Sequence, residues 1–128
     1  MSVDTLIQED LVNFRRTLIE HFKAQHSQIF SILEYTFSGH ENMVGLQVTE
    51  NENVVGKYTF MMNGIDVVEV KSGILDSALH HPLLGVVKPY VTIERSVIER
   101  IIKDNGFKTE MFTSITNYLP DFTIKFLR

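Results

Sequence analysis

The feature that most constrains the fold is KYTFMMNGIDVVEV, residues 57–70, where two apolar runs flank an Asn-Gly pair. Asn and Gly tolerate the positive φ values that tight hairpin turns require, and they are strongly preferred there. The runs on either side are rich in aromatic and β-branched residues, which is typical of strands. The stretch therefore predicts an antiparallel hairpin, whose two faces depend on how its strands pair.

Two loop lengths give different pairings in this hairpin. With a two-residue turn at the Asn-Gly pair, Tyr58 lies opposite Glu69, and this carboxylate falls on the apolar face. With a three-residue loop over residues 62–64, Tyr58 faces Val68, while Lys57 and Glu69 form an opposite-charge pair. The last loop residue is then the glycine, where a left-handed conformation is needed. We predict the three-residue loop, with an apolar face made of Tyr58, Phe60, Val68 and Val70.

The chain before the hairpin predicts one helix and two strands. Apolar residues recur at steps of three and four in the first 25 residues, which indicates a helix with a stripe of Ile7, Leu11, Phe14, Leu18 and Phe22. We interpret the stripe as core packing, because the mixed charges on the other faces disfavour docking on a membrane surface. Residues 29–37 and 43–50 have strand composition, and the polar turn NEN at 51–53 leads into the hairpin.

The chain after the hairpin is less regular at first. Residues 74–88 predict either a short helix ending before Pro82 or a long connection folded over the sheet. A strand follows at 89–94. Ser96 and Glu99 match a capping box for a helix that ends near Gly106 in a positive-φ conformation. A second helix over 107–119 and a final alternating strand with Phe122, Ile124 and Phe126 complete the chain.

Strands grouped beside helices predict an α+β fold, a mainly antiparallel sheet of about five strands covered by helices, in a single domain over residues 1–128. The net charge of −4 disfavours nucleic acid as a partner. The chain has no long apolar run that could form a transmembrane segment, and its acidic N-terminus is unlike a signal peptide, so we expect a cytoplasmic protein. The absence of cysteine removes disulfides and thiolate chemistry.

The order of these parts resembles the sterol carrier protein type 2 family, the sterol-binding domain, with this chain as a divergent member. The likeness rests on YTFMMNGIDVVEV, VTIERSVIERIIKDNG and FTIKF, and it covers residues 44–127 with a leading helix over residues 6–22. It implies a five-stranded sheet and helices that enclose an apolar cavity for sterols, fatty acids or acyl chains. The chain departs from the family at Pro120-Asp121, where members usually have Gly-Lys, and in its longer segment 74–88. It also lacks the helix that follows the last strand in many members, which leaves either an open groove or a dimer interface.

Catalytic and metal-binding motifs are not evident. Adjacent residues such as His80 and His81 point apart on a helix or a strand, and His21 and His26 are not at the spacing that aligns two imidazoles on a helix. No nucleophile motif, phosphate-binding loop or dinucleotide fingerprint occurs. We therefore predict no catalytic residue, no metal and no cofactor. A weaker hypothesis remains an enzyme whose site assembles from the His80-His81 pair and nearby acids.

Large apolar residues are the remaining candidates for a site. The predicted ligand pocket is lined by Tyr58, Phe60, Met62, Val68, Met111, Phe112, Ile115 and Tyr118. The alternative is that these residues are ordinary core. The first functional hypothesis is a non-enzymatic binding domain for an apolar small molecule such as a fatty-acyl chain, lipid or sterol-like molecule. The second is a homodimeric protein-interaction module with a filled core. Asp66 and Glu69 could orient a ligand's polar end, although a turn acid and a surface ion pair are the simpler interpretation.

Overall fold

The computed structural model describes residues 2–37, 41–64, 66–81 and 83–127, with side chains described for all of these except residues 36, 37, 81, 108, 111 and 112. The α+β prediction is confirmed: five strands form a mainly antiparallel sheet, and helices pack on it. Helix α1 has three consecutive segments: Val3–Thr5, the π-helical Leu6–Leu11, and Val12–Gln25. The other helices are α2 (Ser27–Phe37), α3 (Arg95–Lys103), α4 (Gly106–Thr109) and α5 (Met111–Tyr118). The strands are β1 (Glu41–Glu50), β2 (Asn53–Asn63), β3 (Asp66–Ser72), β4 (Leu79–His81), β5 (Gly85–Val87), β6 (Pro89–Glu94) and β7 (Phe122–Phe126).

The five-stranded sheet has the order β3-β2-β1-β6-β7, in which β1 and β6 are parallel and the other neighbours are antiparallel. The predicted polar turn before β2 is confirmed, with Asn51 and Glu52 both at positive φ. The carboxylate of Glu94 ties this turn to the end of β6, because its Oε1 accepts from Thr49 Oγ1 at 2.7 Å and from the Glu52 N–H at 3.2 Å. These hydrogen bonds, the one from Thr49 above all, lower the pKa of Glu94.

The prediction of a strand over residues 29–37 is wrong, because this segment is the helix α2. Its apolar residues also recur with helical spacing, and a short apolar run does not distinguish the two structures by composition. The helix buries Phe30, whose ring packs edge-on against Phe22 of α1 at 6.4 Å. His26, at φ −134° and ψ 56°, separates the two helices and lets α2 fold back along α1.

Neither predicted register of the hairpin is correct. Gly64 does adopt the predicted positive φ of 63°, but Asn63 pairs with Asp66, and a β-bulge interrupts the ladder further along. The observed pairs are Met62 with Val67, Met61 with Glu69, Phe60 with Val70, Thr59 with Lys71 and Tyr58 with Ser72. The bulge falls at Val68, which is left 64% exposed. Since the bulge adds one residue to β3, it places both Val67 and Val70 on the side of Phe60.

The described part of residues 74–88 forms a long connection over the sheet, the second of the two predicted possibilities, in which β4 and β5 pair with each other. The connection crosses the sheet face opposite α1, which we call the outer face. There the connection covers Thr59, which is fully buried. The hydroxyl of Thr59 keeps its hydrogen bonds, because its Oγ1 donates to the Ile74 carbonyl at 2.8 Å and accepts from the Asp76 N–H at 2.9 Å. Ala78 then pairs with Met43 beside the start of β1.

The helices after β6 differ from the predicted capping pattern. Helix α3 begins at Arg95 with Glu94 as its N-cap residue, so the predicted capping box of Ser96 and Glu99 does not form. Gly106 does not have positive φ and instead begins α4. The predicted helix over 107–119 is divided into α4 and α5, and the 3₁₀ turn Leu119–Asp121 follows. The final strand is confirmed as β7.

The core lies on the sheet face toward α1 and α3, which we call the inner face. Its buried residues are Leu6, Ile7, Leu46, Val48, Tyr58, Ile93, Val97 and Ile98. We call this set the filled end of the inner face. Gly56 is essential to its packing, because a Cβ atom at that position would lie 2.7 Å from Cε2 of the Tyr58 ring. The ring of Tyr58 therefore occupies the space that any larger residue would need.

Candidate ligand-binding cavity

Helix α1 contacts the inner face closely at only one end. At its start, Leu6 and Ile7 are 3% and 0% exposed and belong to the filled end. Further along, the helix and the sheet line an open cavity of about 400 Å³. Such a volume lies within the range of about 300–1,000 Å³ that is usual for small-molecule sites. The cavity is lined by Leu11, Val12, Phe14, Arg15, Leu18, Val44, Gly45, Leu46, Phe60, Met62, Val67, Val91, Ile93, Ile101 and Phe122.

All five strands of the sheet contribute to the cavity wall, with Phe122 coming from β7, and the local structure of the other four explains their contributions. Strands β1, β2 and β6 present every second residue to the inner face, which gives Val44, Phe60 and Val91 their positions. The bulge in β3 brings Val67 to the same face opposite Met62. We call the part of the inner face with Val44, Phe60, Met62, Val67 and Val91 the open end.

Arg15 is the only charged residue among the described residues that line the cavity. It also borders a second space of about 250 Å³, a polar cleft between α1, α2 and the tip of the β2–β3 hairpin. The cleft shares Val12, Arg15 and Val67 with the cavity, so the two spaces adjoin. Its charged residues are Arg15, Arg16, Glu20, Lys23, Glu34 and Asp66.

The electrostatics of Arg15 reflect its position between these spaces. Burial lowers the pKa of its guanidinium, and the nearby charge of Asp66 raises that pKa in opposition. A guanidinium remains protonated in proteins at physiological pH even when its pKa is reduced. The side chain therefore brings a permanent positive charge, with up to five N–H donors, to the boundary of an apolar space.

Two of the predicted pocket residues line the cavity, namely Phe60 and Met62. Tyr58 lies instead in the filled end, 1% exposed, and its hydroxyl donates to Asp4 Oδ1 at 2.6 Å. Burial and this hydrogen bond raise the pKa of Tyr58. Val68 is on the exposed side of the hairpin because of the bulge, and the neighbouring Val67 takes its place at the cavity.

The predicted pocket residues of α5 do not meet the cavity where they are described. Ile115 is 37% exposed and does not line the cavity, and Tyr118 packs on Phe107 with ring centroids 5.6 Å apart. The hydroxyl of Tyr118 donates to Asp104 Oδ2 at 2.9 Å, and this hydrogen bond is the main cause that raises its pKa. The side chains of Met111 and Phe112 lie outside the described residues.

Sequence reasoning missed the contribution of α1 to the cavity. Leu11, Phe14 and Leu18 belong to the apolar stripe that was interpreted as core, yet they line the cavity. The helical spacing shows that these residues share a face, but the same spacing occurs whether the facing surface is near or distant. Arg15 follows directly after Phe14 in the sequence, and no motif distinguishes it from the neighbouring Arg16.

Over residues 2–37, 41–64, 66–81 and 83–127, no three His, Asp or Glu side chains gather as metal ligands would. The backbone N–H of His80 donates to Asn42 Oδ1 at 2.9 Å, while the side chain of His81 lies outside the described residues. In the same part of the chain, no helix combines the length and the apolar character needed to cross a lipid bilayer.

Comparisons with protein-family models, curated proteins and solved structures give no match to this chain. A function therefore has to be inferred from the geometry of the cavity and from the properties of the residues that line it.

Proposed function

We propose that the protein is a non-enzymatic binding domain that holds an apolar small molecule, such as a fatty-acyl chain, a lipid or a sterol-like molecule, in the cavity between α1 and the sheet. The observation that carries this proposal is an apolar wall around about 400 Å³ of space beside a fully packed core. Protein interiors are close-packed, and an unfilled volume of this size forfeits the contacts that its lining would otherwise make. A bound apolar chain would supply those contacts.

The chemistry of the lining favours a long apolar ligand over a polar one. Aliphatic and aromatic side chains form most of the wall, and the flexible side chain of Met62 can adapt to ligands of different shape. Each methylene group transferred from water to such a site contributes about 0.8 kcal/mol to binding. The resemblance of the sequence to sterol carrier proteins supports the same class of ligand.

Mass spectrometry of the native protein gives a direct test. Protein purified from cells should carry additional mass that is released by denaturation and corresponds to an apolar compound. A fluorescent fatty acid should bind saturably at micromolar concentration and be displaced by unlabelled fatty acid. The absence of both bound compound and saturable binding would overturn the proposal.

Two adjacent valines offer a matched pair of variants for this test. Val67 lines the cavity, whereas Val68 faces away from it and is exposed. Val67→Trp should fill the open end and weaken binding of the fluorescent fatty acid by about tenfold or more, because the indole takes the space of several methylene groups. Val68→Trp adds the same side chain outside the cavity and should leave the affinity unchanged. Equal affinities for the two variants would place the ligand elsewhere.

A homodimeric interaction module is the second candidate, and a specific observation on the edge strand β7 favours it. Strand β7 is an edge strand of the sheet, and its residues Ile124 and Phe126 lie on one face. These two apolar side chains are 58% and 65% exposed. An exposed apolar strand edge is a common surface for pairing with a second chain. Light scattering should then give the mass of a dimer, and Phe126→Lys should give that of a monomer. A monomeric wild-type protein at high concentration would exclude this candidate.

A further inference from the structure

The boundary between the apolar cavity and the polar cleft is formed partly by a single cation. Arg15 lines both spaces, while the other five charged residues of the cleft do not line the cavity. The residue before it, Phe14, lines the cavity, and the residue after it, Arg16, lines the cleft and is exposed. The position of Arg15 on α1 therefore brings a positive charge to the place where an apolar ligand in the cavity would reach the polar cleft.

A half-buried guanidinium beside an apolar wall is best stabilised by an anion that its planar donors can bind in pairs. Asp66, at the tip of the hairpin, supplies part of this stabilisation, since its charge acts on Arg15. A guanidinium has five N–H donors in a planar fork whose geometry suits a carboxylate or phosphate group. The negative charge of Asp66 would oppose the binding of such an anionic group to Arg15.

The remaining charges of the cleft do not favour one sign of ligand. Arg16 and Lys23 are balanced by Glu20 and Glu34, and each of these four residues lies outside the lining of the cavity. The charge that a ligand in the cavity would meet at this boundary is therefore that of Arg15, which the negative charge of Asp66 partly offsets.

We propose that the cavity selects single-chain amphiphiles with an anionic head, and that Arg15 binds this head while the chain occupies the open end between α1 and the sheet. This inference rests on the proposed function, because it assigns the head-group site of the same cavity. A volume of about 400 Å³ is near the lower limit of ordinary ligand sites and suits one chain better than the two chains of a phospholipid. A fatty-acid carboxylate and a phosphate monoester share the required chemistry.

Three ligands with the same twelve-carbon chain test the proposal: dodecanoate, dodecyl phosphate and the neutral dodecanol. Each is titrated below its aggregation concentration against the neutral dye Nile red bound to the wild-type protein. We expect at least one of the two anions to bind about tenfold or more tightly than the alcohol, as charge-assisted hydrogen bonds would give. The relative affinities of dodecanoate and dodecyl phosphate distinguish the two kinds of head.

Variants of the adjacent arginines provide the matched control. Arg15→Gln should remove the preference for the anion, with the affinity for dodecanol changed by less than about twofold, whereas Arg16→Gln should preserve the preference. Arg15→Lys should retain part of it, since a lysine keeps the charge but not the paired donors. Asp66→Asn should increase the affinity for the anion, because the competing carboxylate charge is removed. Circular dichroism establishes that each variant is folded.

The outcomes separate this inference from the function on which it rests. If all three ligands bind the wild-type protein with equal affinity, or if Arg15→Gln weakens dodecanol as much as the anions, the anionic head site is overturned and the apolar cavity stands. If none of the ligands displaces the dye and Val67→Trp leaves dye binding unchanged, both the cavity function and the head site are overturned. The wild-type comparison decides the question even where a variant does not fold.

Discussion

The two ends of the inner face have similar apolar residues, but only one of them is packed. At the filled end, Leu6 and Ile7 of α1 contact the sheet around Tyr58. At the open end, Phe60 and Met62 of the same strand β2 face the same helix across a cavity of about 400 Å³. An apolar face of a strand or helix therefore predicts that its side chains turn away from water. The distance between the helix and the sheet determines whether those side chains pack against each other or line a cavity.

The polar groups at the two ends differ in the same way. The hydroxyl of Tyr58 has a short hydrogen bond to Asp4, which joins the start of α1 to the middle of β2. Arg15, four residues after Leu11 on the same helix, lies beside both the cavity and the cleft. A hydrogen bond joins the helix to the sheet at the filled end, whereas a charged side chain lies at the boundary of the cavity at the open end.

The largest expected effect comes from truncating the same residue type at each end of α1. Leu6→Ala should lower the free energy of unfolding by about 2–5 kcal/mol, because it leaves a void among fully packed neighbours. Leu18→Ala should cost only about 1 kcal/mol or less, since Leu18 already borders an unfilled space. Urea denaturation of the ligand-free protein measures both losses. Equal losses would contradict the distinction between the two ends.

A smaller effect is expected from adding one methyl group at the filled end. Gly56→Ala places a Cβ atom 2.7 Å from the buried ring of Tyr58, which has no room to move. Overpacking of this kind costs about 1–3 kcal/mol. Thermal or urea unfolding checks the value. A variant as stable as the wild type would show that the ring can shift and that the filled end is looser than its packing indicates.

The smallest of these effects concerns the hydroxyl of Tyr58. Its pKa is raised in the folded protein above the ordinary value of 10.0, mainly by burial and then by the hydrogen bond to Asp4. The folded state therefore retains a proton that the unfolded state loses above pH 10, so the free energy of unfolding is undiminished below pH 10 and falls as the pH rises further. Tyr58→Phe should cost about 1 kcal/mol at neutral pH and reduce this alkaline slope. Urea midpoints between pH 7 and 11 measure both quantities, and an unchanged slope in the variant would assign the titration to another group.

Much of the architecture could be predicted from local patterns. Strands β1, β2, β3, β6 and β7 and helix α1 lie where alternation, helical spacing and the Asn-Gly pair place them. The predictions that failed depend on tertiary context. Residues 29–37 have both strand composition and helical spacing, and packing of Phe30 on Phe22 accompanies the helix. The β-bulge reversed the expected roles of Val67 and Val68, since one added residue moves the following side chains to the other face.

Some of the predicted pocket residues lie outside the cavity, because their positions also depend on tertiary context. Phe60 and Met62 could be found because the alternation of β2 places them on one apolar face. Tyr58 has the same alternation, and nothing in its local sequence shows that Ile7 packs against its end of the strand. The residues of α5 were chosen for size and apolar character, which do not reveal where a helix packs, and Tyr118 packs against the filled end instead.

Local sequence patterns were sufficient to predict the α+β class, most of the strands, the left-handed glycine of the hairpin and the apolar stripe of α1, because each of these depends on residues close together in the chain. Tertiary packing separates the part of that stripe that is core from the part that lines a cavity, and it also places Arg15 at the boundary. The physical reason is that a cavity is the distance between two surfaces, and this distance is set by the packing of the filled end, where Leu6, Ile7 and Tyr58 fix how the helix lies on the sheet.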